Sequence, residues 1–243
     1  MEVSIQRPKL LNALNIQAHA ELADVFDKFA NASSMNIAVI RGSGERAFCV
    51  GSDLKERAEV GSDMMPPSGF AGLTERFDLD KPVIALVNGD AIGGGLEIIL
   101  ACDLAIAVDT ARFGLPEPKV GLAASGGLHR LARQLPLKRA MEISLMGKLF
   151  DATTALDLGL INQVVPRKSL EKTKERYLSD LRECSPLALR ASKQMMLQGL
   201  AQGSLENAFR ANYSSFQRML ASEDAKEGVQ AFAEKRKPVW KCR

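Results

Sequence analysis

Two glutamates, Glu97 and Glu117, have the sequence surroundings that best suit acid–base chemistry in this chain. Glu97 is followed directly by the apolar residues IIL, and burial among such residues raises the pKa of a carboxyl group towards neutrality. Glu117 lies between two prolines in RFGLPEPK, which fix the backbone and remove N–H donors, so that a stiff loop holds the carboxylate. Each has a simpler interpretation: Glu97 as an acid that complements a helix dipole, and Glu117 as a solvated loop acid.

Two glycine turns present backbone N–H groups that suit an anion. One is AFCVGSDLKE at residues 47–56, and the other is NGDAIGGGLEIILACD at residues 88–103. Each has the order strand, glycine turn and helix start, and the N–H groups and dipole of a helix start favour negative charge. If the two turns face one another, they form a two-donor pocket for an oxyanion. Separately, each is an ordinary strand-to-helix turn of an α/β fold.

The composition favours a globular protein with one large domain and gives little support to several classes of function. The chain has 243 residues, 46% of them hydrophobic, and its net charge of +3 is too small to favour binding to nucleic acid or to a membrane surface. No apolar stretch is long enough to span a bilayer, and the N-terminus lacks a signal-peptide pattern. The four cysteines are scattered without metal-ligand spacing, which predicts free thiols and a cytoplasmic location.

Histidine and metal chemistry have few candidates. The two histidines are His19, in a predicted amphipathic helix where a surface or partly packed position is expected, and His129, which follows the turn SGGL. The chain has no nucleophile elbow, phosphate-binding loop or zinc motif, and the sequence predicts no metal site. Any chemistry therefore depends on carboxylates, backbone dipoles and small polar groups.

Strand and helix patterns alternate over the first two thirds of the chain. They predict strands at residues 36–41, 82–88, 104–108 and 160–165, and helices at residues 15–30, 96–101, 137–146 and 152–158. Residues 57–72 predict an irregular loop, and residues 168–234 are helical almost throughout. The alternation predicts an α/β fold with a parallel sheet and crossover helices. We predict an α/β core at residues 1–190 and a helical region at residues 191–243.

Taken together, these segments resemble the enoyl-CoA hydratase/isomerase (crotonase) superfamily. The matching segments are RPKLLNALN, AFCVGSDLKE, KPVIALVNGDAIGGGLEIILACDLAIAVDTARFGLPEPKVGL, SGGLHRL, LMGKLFDATTALDLGLINQVV and SPLALRASK, which cover nearly the whole chain. The tail SEDAKEGVQAFAEKRKPVWK and the segment GLTERFDLDKPVIA look most like carnitinyl-CoA dehydratases and close bacterial hydratases. The resemblance implies a crotonase-like ββα spiral core and a C-terminal helical trimerisation region, giving a homotrimer or a dimer of trimers.

The resemblance also implies a substrate and a set of site residues. The substrate is an acyl-CoA thioester, so that coenzyme A belongs to the substrate and no separate cofactor is expected. The oxyanion donors are the backbone N–H groups of Ser52 and Gly94. Glu97 holds and activates a water molecule, and Glu117 is the main proton donor or acceptor. The residues that contact the substrate or coenzyme A are Ala47, Val50, Asp53, Leu54, Lys55 and Gly93.

Two alternative functions stay open at this point. Having both glutamates favours reversible hydration or dehydration, but an isomerase that moves a double bond needs only the acid at Glu117. A crotonase fold without catalysis, used for binding or assembly, is the other alternative, and a basic tail at residues 235–243 is its one supporting feature. Lys55 is a candidate for contact with a phosphate or the adenine of coenzyme A, and equally fits an ordinary surface lysine.

Three departures from the family pattern carry expectations of their own. The chain begins at MEVSIQRPK, where the resemblance implies a missing first strand and an incomplete first hairpin. The loop at residues 120–127 is one residue short and lacks a proline that is frequent in the family, and we expect it to shape the site near Glu117. Residues 57–80 correspond to the most variable region of the family, and their composition predicts a flexible apolar lining for the acyl group.

Overall fold

A computed structural model describes residues 1–61 and 64–243 of the chain. The strands are β1 (Glu2–Ile5), β2 (Ala38–Gly42), β3 (Ala47–Cys49), β4 (Val83–Val87), β5 (Asp90–Ile92), β6 (Leu104–Val108), β7 (Arg112–Gly114), β8 (Phe150–Asp151) and β9 (Gln163–Val165). The helices are α1 (Ile16–Asn31), α2 (Leu54–Val60), α3 (Gly94–Ala101), α4 (Leu128–Gln134), α5 (Leu137–Met146), α6 (Ala152–Asp157), α7 (Leu170–Glu183), α8 (Pro186–Gly199), α9 (Leu205–Arg210), α10 (Ser214–Leu220) and α11 (Glu223–Ala233). Short 3₁₀ turns occupy Pro8–Leu10, Phe70–Gly72, Glu117–Val120 and Arg167–Ser169.

A five-stranded parallel sheet forms the centre of the fold. Its strand order is β1-β2-β4-β6-β9, and every neighbouring pair is parallel. All five residues of β4 are buried, as expected for a parallel strand covered on both faces. The predicted parallel sheet is therefore confirmed. Glu2–Ile5 is a strand that the sequence did not predict, and it pairs with β2 at the edge of the sheet.

A second, smaller sheet has the order β3-β5-β7-β8. Its first three strands are parallel, and β8 runs antiparallel to β7. Each of β3, β5 and β7 follows directly after a strand of the large sheet, so that the chain repeats the order large-sheet strand, small-sheet strand and functional turn. This repeat is the stacked ββα arrangement that the family resemblance implied.

Helix α1 supports the segment that later lines the site. The side chain of Asn15 caps α1 by accepting a hydrogen bond from the N–H of Ala18 at 3.0 Å. The expectation that His19 lies at or near the surface is wrong, because the residue is only 2% exposed. Its Nδ1 accepts a hydrogen bond from the N–H of Ala71 at 3.1 Å, and its ring meets that of Phe70 edge-on. A buried histidine thus holds the turn Phe70–Gly72 against α1.

Helices α7 to α11 confirm the prediction that residues 168–234 are mostly helical. The division predicted between residues 190 and 191 falls within α8. The loop predicted at residues 57–72 contains the end of α2 and the turn Phe70–Gly72, while its residues 62 and 63 lie outside the described residues. Within the described part of the chain, no helix is both long and apolar enough to cross a membrane.

Candidate active site

The turns that follow three neighbouring parallel strands line one cavity. The turns after β3, β5 and β7 contribute Ser52, Gly94 and Glu117 respectively, because the carboxyl ends of parallel strands meet at one edge of a sheet. The cavity has a volume of about 250 Å³. Of the residues predicted from the sequence, its lining includes Val50, Ser52, Leu54, Gly93, Gly94, Glu97 and Glu117. Residues far apart in the sequence are thereby brought to one place.

The remaining predicted contact residues lie outside this lining. Ala47 is buried in β3, and its carbonyl accepts a hydrogen bond from Asn12 Nδ2 at 2.8 Å. The carboxylate of Asp53 forms an ion pair with Arg7 Nη2 at 3.0 Å. Lys55 is exposed in the first turn of α2. Their predicted contact with coenzyme A stays a prediction.

The turn after β3 is adjacent to the turn after β5. The pairing of β3 with β5 is irregular between Ala47 and Cys49, and such bulges re-aim the residues that follow. Gly51 has a φ of +93°, which L-residues rarely adopt, and its carbonyl accepts a hydrogen bond from the N–H of Leu14 at 2.8 Å. A Cβ at Gly51 would lie only 3.1 Å from the nitrogen of Gly94. The two glycine turns are therefore in direct contact.

Each of the three consecutive glycines has a different neighbour that leaves no room for a side chain. At Gly93 (φ +58°) a Cβ would lie 2.8 Å from Glu117 Oε1. At Gly94 it would lie 2.2 Å from Cζ of Phe70, and at Gly95 it would lie 1.9 Å from the carbonyl oxygen of Cys49. A side chain at Gly95 would therefore clash with the backbone, one at Gly94 would require the Phe70 ring to move, and Gly93 also has a φ that L-residues rarely adopt.

Gly94 is the first residue of α3. The N–H groups of the first helical turn have no carbonyl partner within the helix, and they carry the positive end of the helix dipole. The ring of Phe70 fills the position that a Cβ of Gly94 would take, and the absence of a side chain leaves the N–H of Gly94 unscreened by its own residue. Such a group can donate to an anionic oxygen in the cavity without competition from its own helix.

The carboxyl group of Glu97 is buried in the first turn of α3. The residue is 5% exposed, and Oε1 has no hydrogen-bond partner within the described residues. Burial, and then the charge of Glu117, raise the pKa of Glu97 to about 7, while the N–H groups of Gly127 and Gly126 act in the opposite direction. A carboxyl group with this pKa exchanges protons near neutral pH.

Glu117 opens the 3₁₀ turn Glu117–Val120 between two prolines. Its Oε2 is buried and has no hydrogen-bond partner in the described part of the chain. Burial raises the pKa of Glu117, and the N–H of its own backbone lowers it by a smaller amount. Glu97 and Glu117 therefore share one cavity, and both hold protons more strongly than carboxyl groups in water.

Several cavity residues lie in segments whose roles the sequence predicted only in part. Residues 57–80 contribute Arg57, Met65, Phe70 and Glu75. The predicted apolar lining accounts for Met65 and Phe70, but the charged residues gave no signal that distinguished them from surface residues. Residues 122–126 also line the cavity, and Gly126 and Gly127 contact Glu97. The loop predicted to shape the site near Glu117 therefore reaches the other glutamate as well.

The described residues contain no cluster of metal-ligand type. Across residues 1–61 and 64–243, no three histidine, cysteine, aspartate or glutamate side chains are grouped so that they could hold a metal ion. All four cysteines are free thiols.

The fold is that of the crotonase superfamily, as comparison with solved structures demonstrates. An enoyl-CoA hydratase from Mycobacterium marinum matches with a TM-score of 0.91 at 35% identity, covering 100% of this chain and 95% of that one. The enoyl-CoA hydratase from Mycobacterium tuberculosis H37Rv has the same TM-score, identity and coverage. The predicted crotonase-like fold is therefore confirmed.

The chain belongs to the enoyl-CoA hydratase/isomerase family, whose model matches residues 1–243. Among curated relatives, the carnitinyl-CoA dehydratase of Citrobacter koseri is 42% identical over 250 residues, which cover 100% of this chain and 95% of the relative. The carnitinyl-CoA dehydratase of Proteus mirabilis is 40% identical with the same coverage. The resemblance inferred from the sequence motifs is thus confirmed over the full length.

Proposed function

We propose that this chain catalyses the reversible hydration of a 2-enoyl-CoA thioester. The observation that carries the proposal is the pair of buried carboxyl groups, Glu97 and Glu117, which line one cavity and both have raised pKa values. Full-length relatives named carnitinyl-CoA dehydratase support the same class of reaction. Coenzyme A enters as part of the substrate, and the proposal needs no separate cofactor.

The two glycine turns supply the electrostatic part of the mechanism. Addition of water at Cβ, or removal of the Cα proton in the reverse direction, puts negative charge on the carbonyl oxygen of the thioester, and preorganised N–H donors stabilise that charge. The backbone N–H groups of Ser52 and Gly94 are the proposed donors, and the contact between their turns supports this assignment. Loss of one such donor typically lowers the rate ~10²–10³-fold.

The two glutamates divide the proton transfers. In hydration, Glu97 accepts a proton from water as the water oxygen bonds to Cβ, and Glu117 gives a proton to Cα. In dehydration both transfers reverse: Glu117 takes the Cα proton, and Glu97 protonates the departing hydroxyl group. Near neutral pH, a pKa of about 7 makes both protonation states of Glu97 available, which suits a reversible reaction.

Within this reaction, the cavity walls favour an acyl group that carries a cation. A quaternary ammonium group binds to aromatic faces and to carboxylates, and Phe70 and Glu75 both line the cavity. Arg57 and Lys119 also line it, and we assign these cations to the phosphates of coenzyme A. The carnitinyl group named in the curated relatives bears a trimethylammonium group, which agrees with this division.

Glutamine substitutions at the two glutamates test the mechanism. Glu97→Gln and Glu117→Gln keep the side-chain shape and remove the proton-transfer group, so we expect each to lower the hydration rate of crotonyl-CoA by ~10²–10⁴-fold. Absorbance of the conjugated thioester follows the reaction, and circular dichroism checks the fold. Glu142→Gln, on the surface of α5 beside Arg139, is the matched control and should keep full activity. Full activity in either glutamate variant would exclude the mechanism.

A panel of thioesters identifies the substrate and distinguishes the isomerase alternative. The panel contains crotonyl-CoA, its analogue with a trimethylammonium group on C4, a long-chain enoyl-CoA and a 3-enoyl-CoA. We expect the highest kcat/KM with the cationic analogue. Double-bond migration retained in Glu97→Ala, with hydration absent in the parent enzyme, would instead favour an isomerase that uses Glu117 alone.

The binding-protein alternative has less support, because much of the basic tail is paired. Arg236 forms ion pairs with Glu227 and Glu234. Lys241 and Arg243 both lie within ion-pair distance of Glu223. These contacts reduce the positive charge that an RNA backbone would meet. Salt-sensitive RNA retention without any thioester turnover would revive this alternative.

We further infer that the chain assembles as a homotrimer or a dimer of trimers, as the family resemblance implies. The supporting observation is that α8, α9 and α11 expose large apolar side chains, including those of Met196, Phe209 and Phe232. Exposed apolar patches of this kind mark interaction surfaces. Sedimentation equilibrium measures the mass of the assembly, and a monomer at micromolar concentration would contradict this inference.

A further inference from the structure

Thr74 has a buried hydroxyl group close to Glu97. It lies in the segment that joins the turn Phe70–Gly72 to β4, and the residue is 2% exposed. Within the described part of the chain, Thr74 Oγ1 has no hydrogen-bond partner. Leaving a buried hydroxyl unpaired destabilises the folded state, so an unpaired group in a native core needs a physical explanation.

Gly126 is the shared neighbour of Thr74 and Glu97. A Cβ at Gly126 would lie 3.2 Å from Thr74 Oγ1 and 3.3 Å from Glu97 Oε2. The hydroxyl and the carboxylate therefore border the same small space, which stays open because residue 126 has no side chain. The second oxygen of the same carboxyl group, Glu97 Oε1, is buried without a partner among the described residues. An unpaired buried hydroxyl therefore lies near a carboxyl group that has hydrogen-bonding capacity left.

Hydrogen bonds hold the backbone of Thr74 at both its carbonyl and its N–H group. Arg130 donates two hydrogen bonds to the carbonyl of Thr74, from Nε at 3.1 Å and from Nη2 at 2.8 Å. The N–H of Thr74 donates to the carbonyl of Phe70 at 3.2 Å. On another side, a Cβ at Gly69 would lie 2.4 Å from Thr74 Oγ1. The hydroxyl therefore lies between Gly69 and Gly126, two residues without side chains.

We propose that Thr74 is a positioning residue for Glu97: its hydroxyl donates a hydrogen bond to a water molecule, and that water donates to the Glu97 carboxylate. Thr74 Oγ1 and Glu97 Oε2 both lie within 3.3 Å of one point, the Cβ position of Gly126. One water molecule with two hydrogen bonds of ordinary length, ~2.8 Å each, can therefore connect the two oxygens. The bridge orients the carboxylate for the reacting water and stabilises its ionised form. This inference rests on the proposed role of Glu97 as the base of the hydration reaction.

The charged and titratable groups around Glu97 stay the same when Thr74 is replaced. The same cavity is also lined by the charged residues Arg57, Glu75 and Lys119. Glu117 faces Glu97 across the cavity, and its negative charge raises the pKa of Glu97. The thiol of Cys49 is also near, but burial raises its pKa to about 12, so it stays neutral at working pH. A change in the titration of Glu97 on mutation of Thr74 therefore reports on the hydroxyl itself.

Thr74→Val and Thr74→Ser form the matched pair of variants. Valine keeps the shape and removes the hydroxyl, and we expect it to lower kcat for crotonyl-CoA hydration about 10-fold, with KM changed less than about twofold. The acidic limb of the pH–kcat profile should move to higher pH, because the ionised form of Glu97 loses a stabilising contact. Serine should restore both quantities. Unchanged kcat and pH profile in Thr74→Val, with equal or higher thermal stability, would overturn the proposal.

A measurement without turnover separates this inference from the proposed function. Carbon-13 NMR follows the carboxyl group of Glu97 through its titration in the parent enzyme and in Thr74→Val. We expect a higher pKa in the valine variant even if crotonyl-CoA proves not to be a substrate. An identical titration in both proteins would reject the bridge, whereas a shifted titration without any turnover would reject only the proposed function.

Discussion

At the scale of single residues, the sequence predicts that Glu97 is buried but does not predict which distant residues surround it. The apolar residues that follow Glu97 in the sequence predict burial on α3, and the structure agrees. The groups that complete its surroundings, Thr74, Gly126 and Gly127, lie more than twenty residues away in both directions along the chain. No local pattern reports such long-range contacts, since periodicity describes one element at a time.

Because its pKa is raised, replacement of the Glu97 carboxyl group should increase the free energy of unfolding at neutral and higher pH. A group whose pKa rises from 4.5 to about 7 on folding favours the folded state below pH 4.5, and this contribution is lost as the pH rises through 7. Relative to the parent, Glu97→Gln should therefore gain about 3 kcal/mol in free energy of unfolding between pH 4.5 and pH 8. Urea unfolding at both pH values and one protein concentration measures the difference.

The surface variant Glu142→Gln is the control for this stability measurement. It makes the same chemical change beside Arg139 on the outside of α5, where substitutions typically alter stability by less than about 0.5 kcal/mol. A pH-independent stability difference between Glu97→Gln and the parent would show that Glu97 ionises in the folded protein as it does in water.

At the scale of secondary-structure elements, the sequence predicts short strands less completely than long ones. The strands β4 and β6 have five residues each and were predicted. The three-residue strands β3 and β9 were also predicted, one before a glycine turn and one within residues 160–165, whereas β7 and β8, with three and two residues, were not. Such short segments cannot display a period of two. The glycine turn that follows β5 was nevertheless identified, because glycine at a strand-to-helix turn reflects a local backbone requirement.

The contact between Gly94 and Phe70 predicts that Gly94→Ala loses activity and that a second substitution at Phe70 restores part of it. In Gly94→Ala the new methyl group would lie 2.2 Å from the Phe70 ring, so we expect kcat/KM for crotonyl-CoA to fall ~10²-fold as the turn or the ring is displaced. Phe70→Leu removes the ring atoms that clash. The double variant should therefore recover at least about 10-fold of the lost activity, which a double-mutant cycle quantifies.

Gly203→Ala controls for the general effect of replacing glycine. The nearest atom to a Cβ at Gly203 lies 3.9 Å away, so activity should be unchanged there. If the double variant is no more active than Gly94→Ala, the steric explanation for glycine at this position is wrong.

At the scale of the whole molecule, one carboxylate connects the C-terminal helices to the core. Asp80, just before β4, accepts hydrogen bonds from Arg190 Nε of α8 at 2.9 Å and from Ser215 Oγ of α10 at 2.6 Å. Sequence resemblance established the family over the entire chain, but it contained no information on this connection. An aspartate in a polar run such as RFDLD looks like any surface residue until its distant partners are known.

Removing this carboxylate should destabilise the protein without altering the cavity. Asp80→Ala leaves the guanidinium of Arg190 and the hydroxyl of Ser215 without their acceptor, and we expect a loss of about 2–4 kcal/mol in free energy of unfolding. Asp78→Ala removes an exposed carboxylate two residues away that pairs with Arg76, and should cost less than about 1 kcal/mol. Urea unfolding distinguishes the two, and equal losses would contradict the assigned connection.

The crowding around the three consecutive glycines makes some positions of the cavity lining far less tolerant of substitution than others. A side chain added at Gly93, Gly94 or Gly95 would meet Glu117, Phe70 or the backbone of β3. Met65 and Leu122 also line the cavity, but these residues already carry side chains that can be exchanged. A mutant library aimed at a different acyl group should therefore vary Met65 and Leu122 and leave the glycines unchanged.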